Sequence, residues 1–396
     1  MVEGSNSSTH PPLPPTTEDA WLDWLRLLRS RRVGPVTFHR MMVEHGSAAD
    51  ALRALPEIAR AAGIDNYAIC PEGVARAELK SARTAGARPL FYGCAGYPQA
   101  LVDLADAPPI LWAIGDVSLL SRPMTALIGA RSASSLGTRM ARKLAKDLGT
   151  AGEVIVSGLA RGVDAASHAA ALDTGTIAVL AGGVDVFYPA ENADLARAIA
   201  RTGLLLSEQP IGMQPQARHF PARNRIVSGL SRAVVVVEAA ARSGSLITAR
   251  LALEQGREVM AVPGHPMDAR AAGCNMLIRD GALLVRSAAD VTEALGPAPA
   301  SAVATPTPAP AAGRAHTPTP TEVPASDATP RRPRRLRAIA ELHRQILARL
   351  GPSPMAEDQL IRDLEIGPEQ VAPALTDLEL DGKIARQPGG LLSRPS

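Results

Sequence analysis

The sequence predicts an α/β fold: a doubly wound, mostly parallel Rossmann-type sheet, with a helical domain before it and a small domain after it. Two observations predict the sheet. Short apolar runs alternate with stretches of helical periodicity between residues 125 and 285. Most of these runs are continuously apolar, which is typical of strands buried on both faces. A third observation, the Pro/Ala/Thr-rich segment 296–335, separates the sheet from a C-terminal domain and predicts an extended, disordered linker.

Composition allows two or three domains in 396 residues, with 46% apolar residues available for their cores. A net charge of +3 is too small to indicate a nucleic-acid partner by itself. Cys70, Cys94 and Cys274 lack the spacing of a disulfide framework or a zinc site, so we expect no metal. The sequence has neither a secretory leader pattern nor an apolar run of about 18 residues, and we expect a cytoplasmic protein without a membrane partner.

The N-terminal part of the chain predicts a disordered stretch, 1–17, and then a helical domain, 18–82, of the sterile-alpha-motif or helix-hairpin-helix type. Between its first two apolar stripes lies Val33-Gly34-Pro35-Val36. This tetrapeptide resembles the hairpin of a helix-hairpin-helix unit, whose amides can meet a DNA phosphate. An ordinary helix-to-helix turn also uses Gly-Pro, and both interpretations stay open.

The Rossmann-type domain, 83–295, is predicted from its strands and crossover helices. We predict strands at 125–128, 154–156, 176–180, 204–206, 233–237, 259–262 and 283–285. We predict helices at 138–148, 165–172, 195–201 and 247–255.

Ligands of such sheets bind at the carboxyl ends of the strands, and the turn SGLARG at 157–162 follows one of them. Ser157, Gly158 and Gly162 would let a ligand approach the backbone, and the following helix N-terminus suits an anion such as phosphate. Arg161 adds a full charge there. Glycines at this position also serve simply to make the turn. The chain has no GxGxxG fingerprint and no GxxxxGK[ST] loop, which disfavours NAD binding and a classical ATPase and leaves no cofactor to predict.

A polar segment at 219–231, HFPARNRIVSGLS, is predicted to be a loop before the strand at 233. Arg223, Asn224 and Arg225 could hold a nucleic-acid backbone, and Phe220 could stack a base. The alternative is that Phe220 caps the core.

Ser243 and Ser245 form a second candidate anion site at a helix start, or they are N-capping residues. His168 and His219 have no nucleophile in a recognisable arrangement, so the sequence predicts no catalytic site.

The C-terminal region predicts a winged helix at 336–396, from three helices at 336–350, 356–363 and 368–380 followed by a small hairpin. The basic run RRPRR at 331–335 precedes it and could add non-specific DNA affinity. Winged helices bind DNA or proteins, and the sequence leaves both open.

The order of several long motifs resembles the DNA-processing protein A family (DprA, also called Smf). The motifs are SGLARGVDAASH, GGVDVFYPAEN, LLSEQP, HFPARNRIVSGLS with the strand and helix after it, and GCNMLIRDGA. The resemblance implies an extended Rossmann domain that binds single-stranded DNA, and duplex DNA more weakly, as a homodimer. It also implies loading of the RecA recombinase on DNA in natural transformation and homologous recombination. The residues that match the family's DNA-binding motifs are Arg131, Arg161, Tyr188, Asn192, Arg223, Asn224 and Arg225, and those that match its dimer contact are Asn275, Ile278 and Leu284.

Two other functions are alternatives to non-enzymatic binding of single-stranded DNA. A nucleotide-processing Rossmann enzyme of the phosphoribohydrolase type would carry PGGxGTxxE, whereas this chain has SGSLIT with Glu238 before it. A transcription regulator acting through the winged helix would require sequence-specific duplex binding.

Overall fold

The computed structural model describes residues 14–296 and, beyond them, 342–347, 349–350, 355–356, 360, 364, 371, 375, 378, 383–387 and 391–393. Residues 14–17 belong to the stretch predicted to be disordered. Here Trp21 Nε1 donates to the carbonyl of Pro15 at 3.2 Å, and Thr17 caps the first helix. The rest of that stretch, the linker and the RRPRR run lie outside the described residues.

A nine-stranded sheet, in the order β1-β2-β6-β5-β4-β3-β7-β8-β9, organises residues 88–284. Its seven strands β3 to β9 are parallel to one another, as the continuous apolar runs predicted. They are β3 (Met124–Gly129), β4 (Val154–Ser157), β5 (Thr176–Val179), β6 (Leu204–Ser207), β7 (Ala233–Glu238), β8 (Glu258–Ala261) and β9 (Leu283–Leu284).

Two further strands extend the sheet and were not predicted. β1 (Arg88–Phe91) pairs with β2 (Ile110–Gly115), and β2 pairs with β6, both antiparallel. Pro89 obscures β1 in the sequence because proline cannot donate in a ladder; it is tolerated here because β1 is an edge strand. No crossover helix marks either strand.

Helices cover both faces of the sheet. One apolar core lies against α8, α9 and α10; on the other face lie α5, α6, α7 and α11, with the N-terminal helices beside them. The helices of this domain are α5 (Ser135–Thr150), α6 (Val163–Ala170), α7 (Ala193–Thr202), α8 (His219–Leu230), α9 (Ser245–Glu254), α10 (Ala272–Arg279) and α11 (Ala288–Leu295).

The prediction of a polar loop at 219–231 is wrong, because this segment is the helix α8. Pro221 stands in its first turn, where a missing N–H costs no intrahelical hydrogen bond. Arg223 and Arg225 are both buried: Arg223 Nη1 donates to Val179 O of β5, and Arg225 pairs with Glu208. Charged residues on a buried helix face defeat a prediction based on apolar periodicity.

The N-terminal helices pack directly on the antiparallel edge of the sheet. Trp24 stands edge-on to Phe91 of β1, with ring centroids 5.9 Å apart, and also contacts Phe38. Pro35 opens the second helix, and the preceding turn contains Arg32 at φ 64°. The four helices are α1 (Glu18–Arg29), α2 (Pro35–His45), α3 (Ala48–Ala61) and α4 (Glu72–Thr84).

The C-terminal region contains a three-stranded antiparallel sheet, in the order β10-β12-β11. β11 (Ala385–Gln387) and β12 (Leu391–Ser393) form the predicted hairpin, and β10 (Met355–Ala356) pairs with β12. Much of the three predicted helices lies outside the described residues. The side chains that are described form a core around Ile346, Leu375 and Leu392. In the described part of the chain, no helix is both long and apolar enough to cross a membrane.

Candidate nucleic-acid interface

The loops that follow β3, β4 and β5 meet the start of α8 at the carboxyl edge of the parallel strands. This is the edge where doubly wound sheets bind ligands. Backbone bonds fix these loops to one another: Ala130 N donates to Glu238 O at 2.7 Å, and Val163 N to Ala130 O at 3.2 Å. The predicted site residues of these loops are therefore neighbours in space.

Two aromatic rings and an arginine form the exposed part of this edge, which we call the aromatic shelf (Arg131, Tyr188 and Phe220). The Arg131 guanidinium lies 5.4 Å from the centre of the Phe220 ring. The Phe220 and Tyr188 rings are 5.9 Å apart and tilted by 59°. Tyr188 is 53% exposed, and Phe220 is half-buried. The shelf thus presents π-faces and a cation to solvent.

Arg161 extends the shelf on the side of Tyr188. Its guanidinium lies 3.6 Å from the carboxylate of Glu191, and both side chains are exposed. Asn192 Nδ2 donates to Leu159 O at 2.9 Å and so ties the turn 158–162 to the segment after Tyr188. Asn192 therefore positions Arg161, and Glu191 is a site residue that the sequence did not identify.

Two backbone amides of the turn 158–162 donate to a carboxylate of the same chain, that of Asp164. Asp164 Oδ2 accepts from Gly158 N at 3.2 Å and from Ala160 N at 3.3 Å. Gly162, at φ 76°, is needed because a Cβ there would meet Ala130 O at 2.2 Å. The amides of Gly158 and Ala160 therefore donate to Asp164.

Gly158 makes room for an arginine of the same chain. A Cβ on Gly158 would lie 1.5 Å from Nη1 of Arg223, which donates to Val179 O at 3.0 Å. Burial lowers the pKa of Arg223, and burial also raises the pKa of Asp164, with the Arg223 charge opposing that rise. Arg223 and Asp164 are thus a layer of buried charge beneath the shelf.

A second internal anion lies at the switch point between β3 and β7. There the Glu238 carboxylate accepts from Ser134 N at 2.9 Å and from the Ser134 hydroxyl at the start of α5. A Cβ on Gly137 would lie 2.5 Å from this carboxylate. In dinucleotide-binding Rossmann folds the pyrophosphate takes this position. No local pattern in the sequence indicates this contact, because it joins residues 104 positions apart.

Arg225 also lies in the interior. Its guanidinium pairs with Glu208 and lies 3.4 Å from the Asp106 carboxylate, and only 8% of the residue is exposed. Burial raises the pKa of Glu208, while the Arg225 charge counteracts the rise. Asn224, between the two buried arginines, is half-buried.

The predicted serines have internal partners. The buried Ser157 hydroxyl donates to Leu127 O at 2.6 Å. Ser243 and Ser245 share a hydroxyl hydrogen bond of 2.7 Å, and Ser243 Oγ accepts from Ser245 N at 3.4 Å at the start of α9. The N-cap residue of α9 is Gly244 and no side chain caps this helix, so neither serine is an N-capping residue. Their position on the loop after β7 keeps them at the same edge of the sheet.

The predicted dimer residues lie at the far end of the sheet, on α10 and β9. Asn275 accepts from Gly264 N at 3.1 Å and donates to Gly264 O at 3.0 Å. Ile278 packs partly against the core, and Leu284 is 43% exposed on the edge strand. Among the described residues, no group of three or more His, Cys, Asp or Glu side chains could hold a metal ion.

Three family models match successive parts of the chain. Residues 88–296 match the model described as DNA recombination-mediator protein A. Residues 18–81 match the DprA-like N-terminal HHH domain, and residues 318–390 match the DprA winged helix domain.

Individual relatives agree with these models. DNA processing protein DprA of Streptococcus pneumoniae is 48% identical over 197 residues, which cover 49% of this chain and 70% of that protein. The X-ray structure of DprA from Streptococcus pneumoniae aligns with a TM-score of 0.59 and 36% identity, over 70% of this chain and 98% of that chain. A structure of DNA processing protein A from Helicobacter pylori, described for its single-stranded DNA binding mode, aligns with a TM-score of 0.49 and 33% identity, over 53% of this chain and 95% of that chain.

Proposed function

This chain belongs to the DNA recombination-mediator protein A family, and we propose that it binds single-stranded DNA across the aromatic shelf, without sequence preference. One observation carries the proposal: Arg131, Phe220 and Tyr188 form a continuous row of cation and rings, in which Arg131 and Tyr188 are exposed and Phe220 is half-buried. Exposed rings stack on unpaired bases, whereas the bases of a duplex are already stacked on each other. The shelf therefore favours single strands over duplex DNA.

The phosphate contacts of the proposed complex come from Arg131 and Arg161. Both are exposed, and Arg161 can leave its pair with Glu191 at small cost because surface ion pairs contribute about 0–1 kcal/mol. Arg223 and Arg225 act indirectly in this proposal, by fixing the loops from below.

We propose that the protein has no catalytic role at this site. The positions where a nucleotide phosphate would sit in an enzyme of this fold are taken by Asp164 and Glu238. Release of free base from nucleoside monophosphates would instead support the phosphoribohydrolase alternative.

The wider role we propose is that of the family: a homodimer that loads the RecA recombinase onto single strands during natural transformation and recombination. Leu284 supports the dimer, because it is an exposed apolar side chain on the edge strand β9. A Leu284→Glu variant should shift the protein toward monomer in light scattering. If wild type and Leu284→Glu have the same mass in light scattering, Leu284 does not form a dimer contact.

The test of DNA binding uses fluorescence anisotropy with labelled single-stranded and duplex oligonucleotides. We expect Tyr188→Ala to lose about 1–3 kcal/mol of single-strand affinity, the usual contribution of one stacked base. Tyr188→Phe keeps the ring and is the matched control, which should bind like wild type. Equal affinity of wild type for single strands and duplex, unchanged in Tyr188→Ala, would contradict the proposal.

A further inference from the structure

Helix α5 carries a row of basic residues on its outer face. Arg139, Arg142, Lys143 and Lys146 are all exposed and are spaced i, i+3, i+4 and i+7, so they share one face of the helix. The opposite face packs on the sheet through Leu144, Leu148 and their neighbours. We call this row the basic stripe.

The positive charge of the basic stripe is only partly compensated. Lys143 pairs with Asp147 at 2.7 Å. No carboxylate in the described part of the chain pairs with Arg139, Arg142 or Lys146. Three cations are therefore available to an anionic partner.

The basic stripe lies on the helix that follows the Arg131 loop of the aromatic shelf. Arg131 lies in the loop that leads into α5, and Glu238 holds the start of the helix through Ser134 N at 2.9 Å. Because a helix rises about 1.5 Å per residue, the stripe runs from about 8 Å to about 18 Å beyond the Ser134 cap. The hydrogen bond between Ser134 N and Glu238 thus holds the start of α5 at the same edge of the sheet as the shelf.

The spacing of the stripe suits a nucleic-acid backbone. Its three unpaired cations span about 10 Å of helix axis, and a single strand of DNA carries one phosphate per nucleotide, so a strand that follows this face presents several phosphates to them. Helix α5 contains no aromatic side chain that could stack on a base. Contacts here would therefore be to phosphates alone.

We propose that the basic stripe is a second segment of the DNA path: a strand that crosses the aromatic shelf continues along the outer face of α5. This inference rests on the proposed function and adds a longer footprint to it. Short oligonucleotides fill only the shelf, and longer ones gain phosphate contacts with Arg139, Arg142 and Lys146.

The experiment compares oligothymidylates of about 6 and about 20 nucleotides by anisotropy, at about 50 and about 200 mM salt. The test variant of the full chain is Arg139→Gln/Arg142→Gln/Lys146→Gln, in which glutamine keeps helix propensity. The control is Arg60→Gln/Lys80→Gln/Arg201→Gln, which removes the same charge from exposed positions on α3, α4 and α7. A third variant, Arg131→Ala/Arg161→Ala, reports on the shelf.

We expect the stripe variant to bind the short oligonucleotide like wild type and to bind the long one about 10- to 100-fold more weakly at low salt. Its salt slope on the long oligonucleotide should fall by about 2, since each phosphate contact on a single strand contributes about 0.7. The control triple variant should keep the affinity and slope of wild type.

The outcomes separate the two proposals. If the shelf variant loses the short oligonucleotide while the stripe variant binds the long one like the control, the stripe is overturned and the shelf stands. If the shelf variant binds both lengths like wild type, both proposals are overturned, whatever the stripe variant does. If the control triple variant binds the long oligonucleotide as weakly as the stripe variant does, the loss of affinity comes from net charge alone, and the proposed role of the stripe is overturned.

Discussion

The exposed shelf and the layer of charge beneath it are built from the same sequence motifs and have opposite environments. In SGLARGVD, Arg161 is exposed, while Asp164, three residues later, is buried and accepts from two amides of the turn. In HFPARNR, Phe220 lies at the surface and Arg223 and Arg225 lie inside. Charged residues of a binding motif therefore divide into those that contact a ligand and those that hold the contacting loops in place.

The largest expected effect comes from the buried layer. Arg223→Ala leaves Asp164 buried without its opposite charge, and we expect a loss of about 3–5 kcal/mol in the free energy of unfolding. The measurement is urea denaturation, with Arg223→Met as the variant that retains volume and Arg161→Ala as the exposed control. Arg161→Ala should stay within about 0.5 kcal/mol of wild type. The comparison fails if both arginine-to-alanine variants are equally stable.

A smaller effect concerns pH and the buried His168. Its Nδ1 lies 2.7 Å from the hydroxyl of Thr176, which itself donates to Ile155 O, and burial lowers the pKa of His168 to about 3. Below the usual imidazole pKa of about 6.5, the unfolded chain binds a proton that the folded chain excludes. The free energy of unfolding should therefore fall by about 2 kcal/mol from pH 7 to pH 5 because of this group.

His168→Gln isolates that contribution. The raised pKa of Asp164 acts in the opposite sense, since the folded state then binds a proton that the unfolded state has lost. Asp164 contributes equally to wild type and to His168→Gln, so its contribution cancels in the difference between their free energies of unfolding. A difference that does not change between pH 5 and pH 7 in denaturation experiments would show that His168 is not buried in the neutral form.

The smallest expected effect is a gain of DNA affinity on the shelf. Glu191→Gln removes the carboxylate that pairs with Arg161, and we expect single strands to bind up to about 5-fold more tightly. Asp194→Asn is the matched control, because Asp194 is an exposed carboxylate that pairs with Arg197. Weaker binding by Glu191→Gln would indicate that Glu191 itself holds the DNA in place.

The sequence predicted the exposed residues of this site better than the buried ones. Continuous apolar runs located the parallel strands, and the rule that ligands bind at their carboxyl ends placed Arg131, Arg161 and Tyr188 together. Those inferences need only local patterns and one topological rule. They were confirmed for the strands and for the proximity of the loops.

The buried contacts depend on pairs of residues far apart in the chain, so local patterns do not reveal them. Arg223 reaches the end of β5, and Glu238 reaches the start of α5. The helix α8 was missed for the same reason, because the partners of its buried arginines are on other elements. An arginine looks the same in sequence whether a phosphate or a carbonyl of its own chain accepts its hydrogen bond.

The most direct test of the division between shelf and buried layer is the salt dependence of single-strand affinity in wild type and in Arg131→Ala/Arg161→Ala. Each phosphate contact contributes about 0.7 to the slope of log affinity against log salt, so the double variant should have a slope smaller by about 1.4. Its free energy of unfolding should match that of wild type within about 1 kcal/mol. A slope equal to that of wild type, in a variant that is equally stable, would show that the exposed arginines do not contact the DNA backbone and would contradict the account.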